Sequence, residues 1–166
     1  MKENMDRAWL FELPVGAVAS EPGDAPRGLR LGSTGNIAMA DDGRAVRQSI
    51  LLLLSTRPGE RLMRPDYGCW LHRLVFAPND AGTAGLAIHY VGQALRRWEP
   101  RVAILKLEAG ANLHGKGDTS TLDIVLEYRV RRTLWEERLA LGYDLHGARI
   151  IVPTTDHDFR QGDFRA

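Results

Sequence analysis

Three carboxylates stand on conformationally restricted stretches of this chain and could do acid–base work: Glu60, Asp66 and Glu99. Two acids at a suitable separation can hydrolyse a glycosidic bond, one protonating the leaving oxygen and the other acting as base or nucleophile. Each of the three, however, has an arginine close by in sequence. Arg61 follows Glu60, Arg64 precedes Asp66 by two positions, and Arg101 lies two beyond Glu99. A neighbouring guanidinium favours the ionised carboxylate and so spoils a general acid. The structural reading of these acids is therefore preferred over a glycoside-hydrolase one. The five histidines (His72, His89, His114, His146, His157) fall at no spacing that suggests shared metal ligation. Asp156-His157-Asp158 sits in a polar tail and reads as a solvated run. No P-loop, G-x-G-x-x-G or G-x-S-x-G motif occurs, so no cofactor is implied.

The element that must position these acids is the stretch Arg57 to Trp70, R-P-G-E-R-L-M-R-P-D-Y-G-C-W. Pro58 cannot sit inside a helix, and Gly59 tolerates left-handed backbone. Pro65 pushes Arg64 into an extended conformation, and Gly68 supplies a second turn. A rigid, charged crossing between two helices results. Upstream, a helix is expected from about Asp42 to Ser55, with Asp41 or Asp42 as its N-cap. Val46, Ile50, Leu53 and Leu54 form its stripe, and Leu51 and Leu52 make it apolar nearly all round, so it should be central. Downstream, Pro78-Asn79-Asp80 signals a turn and a cap. From Ala81 to Trp98, Ala84, Ile88, Val91, Leu95 and Trp98 follow helical spacing, widened by Leu86, Tyr90 and Ala94.

Pro100 ends that second helix and biases Glu99 towards extended backbone, so the side chains of Glu99 and Arg101 can project the same way. They form either a compact polar key for a partner or an internal clasp. Strands are expected over Val102 to Ala109, with Ala103, Leu105, Leu107 and Ala109 on one face. A second runs over Thr121 to Val130, with Leu122, Ile124, Leu126, Tyr128 and Val130 inward and Asp123, Glu127 and Arg129 outward. A third follows over Leu134 to Leu141 after a tight turn at Arg131-Arg132, and a short last one covers Ile150 to Val152. Such alternation predicts an antiparallel sheet with one solvated face. The fold expected is α+β: two helices packed on a mainly antiparallel sheet. It divides into an extended N-terminal arm over 1–35, a central domain over 36–152, and a polar tail over 153–166. Trp9, Leu10, Phe11 and Leu13 are candidate anchors in the arm.

Composition sets the outer bounds. The 166 residues suit one domain, with 44% hydrophobic and 26% charged residues. Net charge is only +1, so no global field favours nucleic acid or an anionic membrane. Arg129, Arg131 and Arg132 lack interleaved aromatics and read as a solvated turn. The positive charge is carried by 19 Arg and 3 Lys, and Arg is the cation enriched at protein interfaces. The lone Cys69 excludes an internal disulfide and fits a reducing compartment. No apolar run approaches the ~20 residues of a membrane span, and Glu12 and Pro14 interrupt the faint signal-like start.

The crossing also carries a resemblance. From Gly35-Asn36-Ile37 through Asp41 to Ser49, then G-E-R-L-M-R-P-D-Y-G and Glu99-Pro100-Arg101, fading after Leu141, the chain resembles the baseplate wedge and sheath-initiator family. That family belongs to contractile-tailed phages, with relatives in type VI secretion and extracellular contractile injection systems. The resemblance implies a structural baseplate protein rather than an enzyme, although some relatives have carried a lysozyme-like label. It implies several copies, six by the family's pattern, docked on other wedge subunits around the central tube, with spike or hub proteins as further neighbours. It also implies contact with the sheath protein. Assembly would take place in the cytoplasm, as part of a phage tail-like particle. Glu99, Pro100 and Arg101 would dock in the baseplate core, joined by Arg61, Arg64 and Asp66 of the crossing. The third strand would offer the sheath an open edge guarded by Glu136, Glu137 and Arg138, by β-augmentation.

Overall fold

The structure, a computed structural model, describes residues 7–12, 28–29, 31, 35–111, 113 and 120–151. Expectations for Leu13, the polar tail, Val152, His114, His157 and most of the N-terminal arm fall outside those residues. From the arm, β1 (Arg7–Trp9) pairs antiparallel with β4 (Met39–Asp41), which lies beyond it, and β2 (Phe11–Glu12) pairs with β3 (Gly28–Leu29). Gln48 donates to the Trp9 carbonyl at 2.8 Å and ties this small sheet to the first helix, while the Trp9 ring remains exposed.

Helix α1 (Asp42–Ser55) and helix α2 (Ala81–Trp98) have the expected bounds. As its nearly all-round apolarity predicts, α1 is central: Ala45, Val46, Ile50, Leu51, Leu53 and Leu54 are buried. Helix α2 starts on Asp80, whose side chain accepts the Thr83 amide proton at 2.8 Å. That amide holds the Asp80 carboxyl below its usual range, as capping predicts. Its buried face carries Ala84, Ala87, Val91, Ala94 and Leu95, but Leu86 is exposed rather than part of the core. Between the helices, Trp70–Leu74 winds into a short 3-10 helix that buries Leu71 and Leu74.

The main sheet is antiparallel throughout, in the order β5 (Val102–Ala111), β6 (Thr121–Val130), β7 (Glu136–Asp144), β8 (Arg149–Ile151). Helix α2 lies against β5 and β6, and α1 lies against α2. The result is the α+β architecture expected, with the core between helices and sheet. Three details depart from the sequence pattern. A register shift between Ile104 and Lys106 moves Leu105 out, so Val102, Ile104, Leu107 and Ala109 pack towards the core and Leu105 is exposed. An extra residue in one strand reverses the alternation beyond it. Leu134 does not begin β7; it holds φ +56° in the turn, and its amide donates to the Val130 carbonyl. The outer face is also less solvated than expected, because Asp123 and Val125 are buried beside the inward residues of β6.

Candidate docking site

The crossing between the helices is built almost without repetitive structure, yet little of it is loose. The Gly59 amide donates to the Pro65 carbonyl at 2.6 Å, pinching the loop at its base. Further amide-to-carbonyl bonds run from Glu60 to Arg57, Arg64 to Arg61 and Tyr67 to Arg64. Glu60 accepts the Arg57 amide proton through its carboxylate, a local turn bond that uses the acid structurally. Gly59 (φ +92°) and Gly68 (φ +131°) take backbone that L residues avoid. Below the loop, Cys69 is buried, and burial pushes its thiol up to about 11, so it is an inert packing residue at neutral pH.

Tyr67 links this loop to the end of α2. Its ring lies 5.4 Å from that of Trp98, and the Arg61 guanidinium stacks on it at 4.2 Å. Burial raises the Tyr67 hydroxyl's pKa, partly offset by the Arg61 and Arg64 charges and reinforced by Glu99. Crossing and helix end thus share one neighbourhood. Asp66 reaches Arg97 at 3.4 Å, but both side chains are largely exposed, so this pair contributes little.

Glu99 itself is turned inward. It is 3% exposed, and Arg101 donates to it twice, Nε to Oε1 at 2.6 Å and Nη2 to Oε2 at 2.9 Å. The Ser49 hydroxyl of α1 donates to the same Oε2 at 2.6 Å. Of the two readings of the triplet, the internal clasp describes Glu99: it joins α1 to the α2–β5 corner. Arg101 keeps 40% of its side chain exposed, and its carbonyl accepts the Arg131 amide proton. Pro100 is exposed at the corner itself. The candidate acid pair for glycoside hydrolysis does not form a working set: Glu60 caps a turn, Asp66 faces solvent beside Arg97, and both Glu99 oxygens are engaged by donors. Among the described residues no cluster of His, Cys, Asp or Glu could hold a metal ion, and no helix is long and apolar enough to cross a membrane.

The third candidate group lies on β7. Glu136 and Arg138 point outward and pair loosely with Arg129 and Glu127 of β6, at 3.7 and 3.9 Å. Glu137 does not belong to that outward row. It stands opposite Tyr128 on the inner face, accepts the Tyr128 hydroxyl proton at 2.6 Å, and takes Arg47 of α1 at 2.9 Å. Strand alternation alone predicts this, since neighbours in a strand face opposite ways. The backbone polarity of β7 follows from one bond, Val130 amide to Trp135 carbonyl. In an antiparallel ladder, residues 137, 139 and 141 therefore also address β6, while 136, 138 and 140 present their amides to the other side. On that side β8 covers only Gly142 to Asp144. Among the described residues, nothing pairs with the edge from Glu136 to Leu141.

Sequence reading missed two kinds of residue. Ser49 and Arg47 complete inner contacts whose partners are 50 and 90 positions away, beyond any local pattern. Leu62 and Met63, inside the crossing, are 97% and 94% exposed. Their signal was available: two apolar residues in a loop fixed by Pro and Gly have no helix or strand face on which to be buried.

Similarity to known proteins agrees with this architecture. A crystal structure from Geobacter sulfurreducens, provisionally described as a tail lysozyme, is 36% identical over 63% of this chain and 91% of that one, with a TM-score of 0.55. A subunit of the sixfold-symmetrised anti-feeding prophage baseplate shares the fold, with a TM-score of 0.61 over 77% of this chain and 87% of that one, at 21% identity. No curated protein matches the chain. Residues 40–134 match the family described as baseplate wedge protein gp25, a span that takes in α1, the crossing, α2, the Glu99 clasp, β5 and β6. The chain belongs to that baseplate wedge family.

Proposed function

We infer that the chain is a structural subunit of the baseplate of a contractile injection machine, and that it seeds the sheath through β7. Several copies, six in a sixfold baseplate, would surround the central tube and contact other wedge subunits and the sheath protein. The observation that carries the seeding is the half-covered edge of β7. Outward amides at Glu136, Arg138 and Ala140 lie beside a strand end that β8 already extends, so an incoming strand can continue an existing ladder. Glu136 and Arg138 add alternating charge, which discourages unspecific pairing at an open edge. Arg61, Arg64, Asp66, Pro100 and the exposed part of Arg101 would form a second contact, towards the baseplate core. Reconstruction of the intact particle tests this reading. A sheath strand should lie antiparallel or parallel beside Arg138 and Ala140; an edge facing solvent in the assembled particle would remove it.

The described lysozyme character of the Geobacter protein makes catalysis a specific alternative for this fold. Geometry opposes it here, because Glu99 is buried and doubly bonded by Arg101 while Glu60 and Asp66 have structural or solvent-facing positions. Purified protein should leave peptidoglycan intact from roughly pH 4 to 8, the range in which a glycosidase acid works. Turnover that disappears in Glu60→Gln or Glu99→Gln would establish an enzyme instead.

A further inference from the structure

Leu62 and Met63 are nearly as exposed as side chains can be, and they stand in an unbroken exposed run from Gly59 to Asp66. Exposed apolar residues are common one at a time, and two adjacent ones at the tip of a projecting loop need a reason. Here the loop is braced rather than frayed. The Gly59–Pro65 bond closes its neck, Tyr67 anchors one arm on Trp98, and Arg61 is stacked on Tyr67. A tip prepared this way loses little conformational freedom when it enters a partner.

We propose that Leu62 and Met63 form a plug that inserts into an apolar pocket with an acidic rim on a neighbouring baseplate protein. This rests on the baseplate reading above and specifies one of its contacts. The charge around the tip selects the partner. Asp66 faces Arg97, and Glu60, which accepts the Arg57 amide proton, keeps its charge, so Arg57, Arg61 and Arg64 leave the loop with a cationic surplus. Arg61 rests on an aromatic face, and Arg64 has no ion pair among the described residues. Two guanidiniums flanking an apolar pair complement a hydrophobic pocket ringed by carboxylates. The same tip could in principle touch an anionic membrane. Only two apolar residues and a chain of net charge +1 favour the protein partner.

The test uses the full chain in particles produced from its own gene cluster. Leu62→Ser/Met63→Ser should melt within about 1 °C of the wild type, because neither side chain contributes burial to the isolated fold. Its incorporation into particles should fall at least about tenfold, and Arg64→Glu should lower incorporation as well. A photo-crosslinking residue at position 63 should join the chain to a different baseplate protein, at a site lined by apolar side chains and Asp or Glu. Normal incorporation of the double variant overturns the plug, as does a crosslink only to a second copy of this chain or to the sheath. Sedimentation of the wild type with vesicles of phosphatidylserine and phosphatidylcholine, abolished in the double variant, would also overturn it in favour of a membrane contact. Absence of the wild-type chain from the particles would instead remove the baseplate reading itself.

Discussion

Arg101→Ala should destabilise the isolated protein by about 3–5 kcal/mol, the cost of breaking a buried ion pair by removing one partner. For a chain of this size that lowers the melting temperature by roughly 6–20 °C. The reason lies in which charge is left behind. Glu99 is 3% exposed, so without Arg101 its inward-turned carboxylate keeps only the Ser49 hydroxyl as a donor. Glu99→Ala should cost less, about 1–3 kcal/mol, because the remaining Arg101 is 40% exposed and can turn its guanidinium to solvent. The ordering, Arg101→Ala worse than Glu99→Ala, distinguishes a clasp from a surface key. Thermal melts of both variants that match the wild type, with failure confined to particle assembly, would assign the triplet wholly to an interface.

Gly68→Ala should lose about 2–6 kcal/mol and disorder the crossing. At φ +131° an L residue is strained by about 1–3 kcal/mol. Here space is also missing: a Cβ would collide with the Thr56 carbonyl oxygen and lie 3.0 Å from the backbone of Arg57 and Pro58. Those are backbone atoms, and the Thr56 carbonyl is already bonded to the Cys69 amide at 2.9 Å, so neither side can yield cheaply. Gly59→Ala is the control. Its φ is +92°, but nothing lies within 4 Å of the added Cβ, so only the conformational cost of about 1–3 kcal/mol applies. Denaturant midpoints of the two variants check the difference. Equal losses would mean that close packing against the end of α1 contributes nothing.

The helices and the strand β6 were legible because each has a period and a boundary of its own. Helix α1 runs from the Asp41-Asp42 pair to a stop before Pro58, α2 from the Asp80 cap to Pro100, and β6 places Leu122, Ile124, Leu126, Tyr128 and Val130 on one inward face. What escaped was set by contacts distant in sequence. The bulge at Leu105 is invisible without the partner strand, since Ala103, Leu105 and Leu107 alternate on paper. Leu134 belongs to the turn because its amide bonds back to Val130, although its side chain suits a strand. For the candidate site, the crossing and the triplet were recognisable as motifs. Whether Glu99 points inward or outward depended on Ser49, half a domain away. Glu137 is a different case: its charge groups it with Glu136 and Arg138, but strand alternation alone turns it to the inner face opposite Tyr128.

The seeding claim meets its most direct test in a pair of adjacent prolines on β7. Arg138 presents its amide to the open side, so Arg138→Pro removes no bond to β6 and should leave a folded, incorporated subunit. Leu139 is fully buried and addresses Leu126, so Leu139→Pro should unfold the domain. The measurement is sheath length on particles assembled with the Arg138→Pro protein, after circular dichroism has shown it folded and immunoblotting has shown it in the baseplate. Baseplates without sheath are the expected result. Sheaths of normal length on that folded, incorporated variant would contradict seeding through β7.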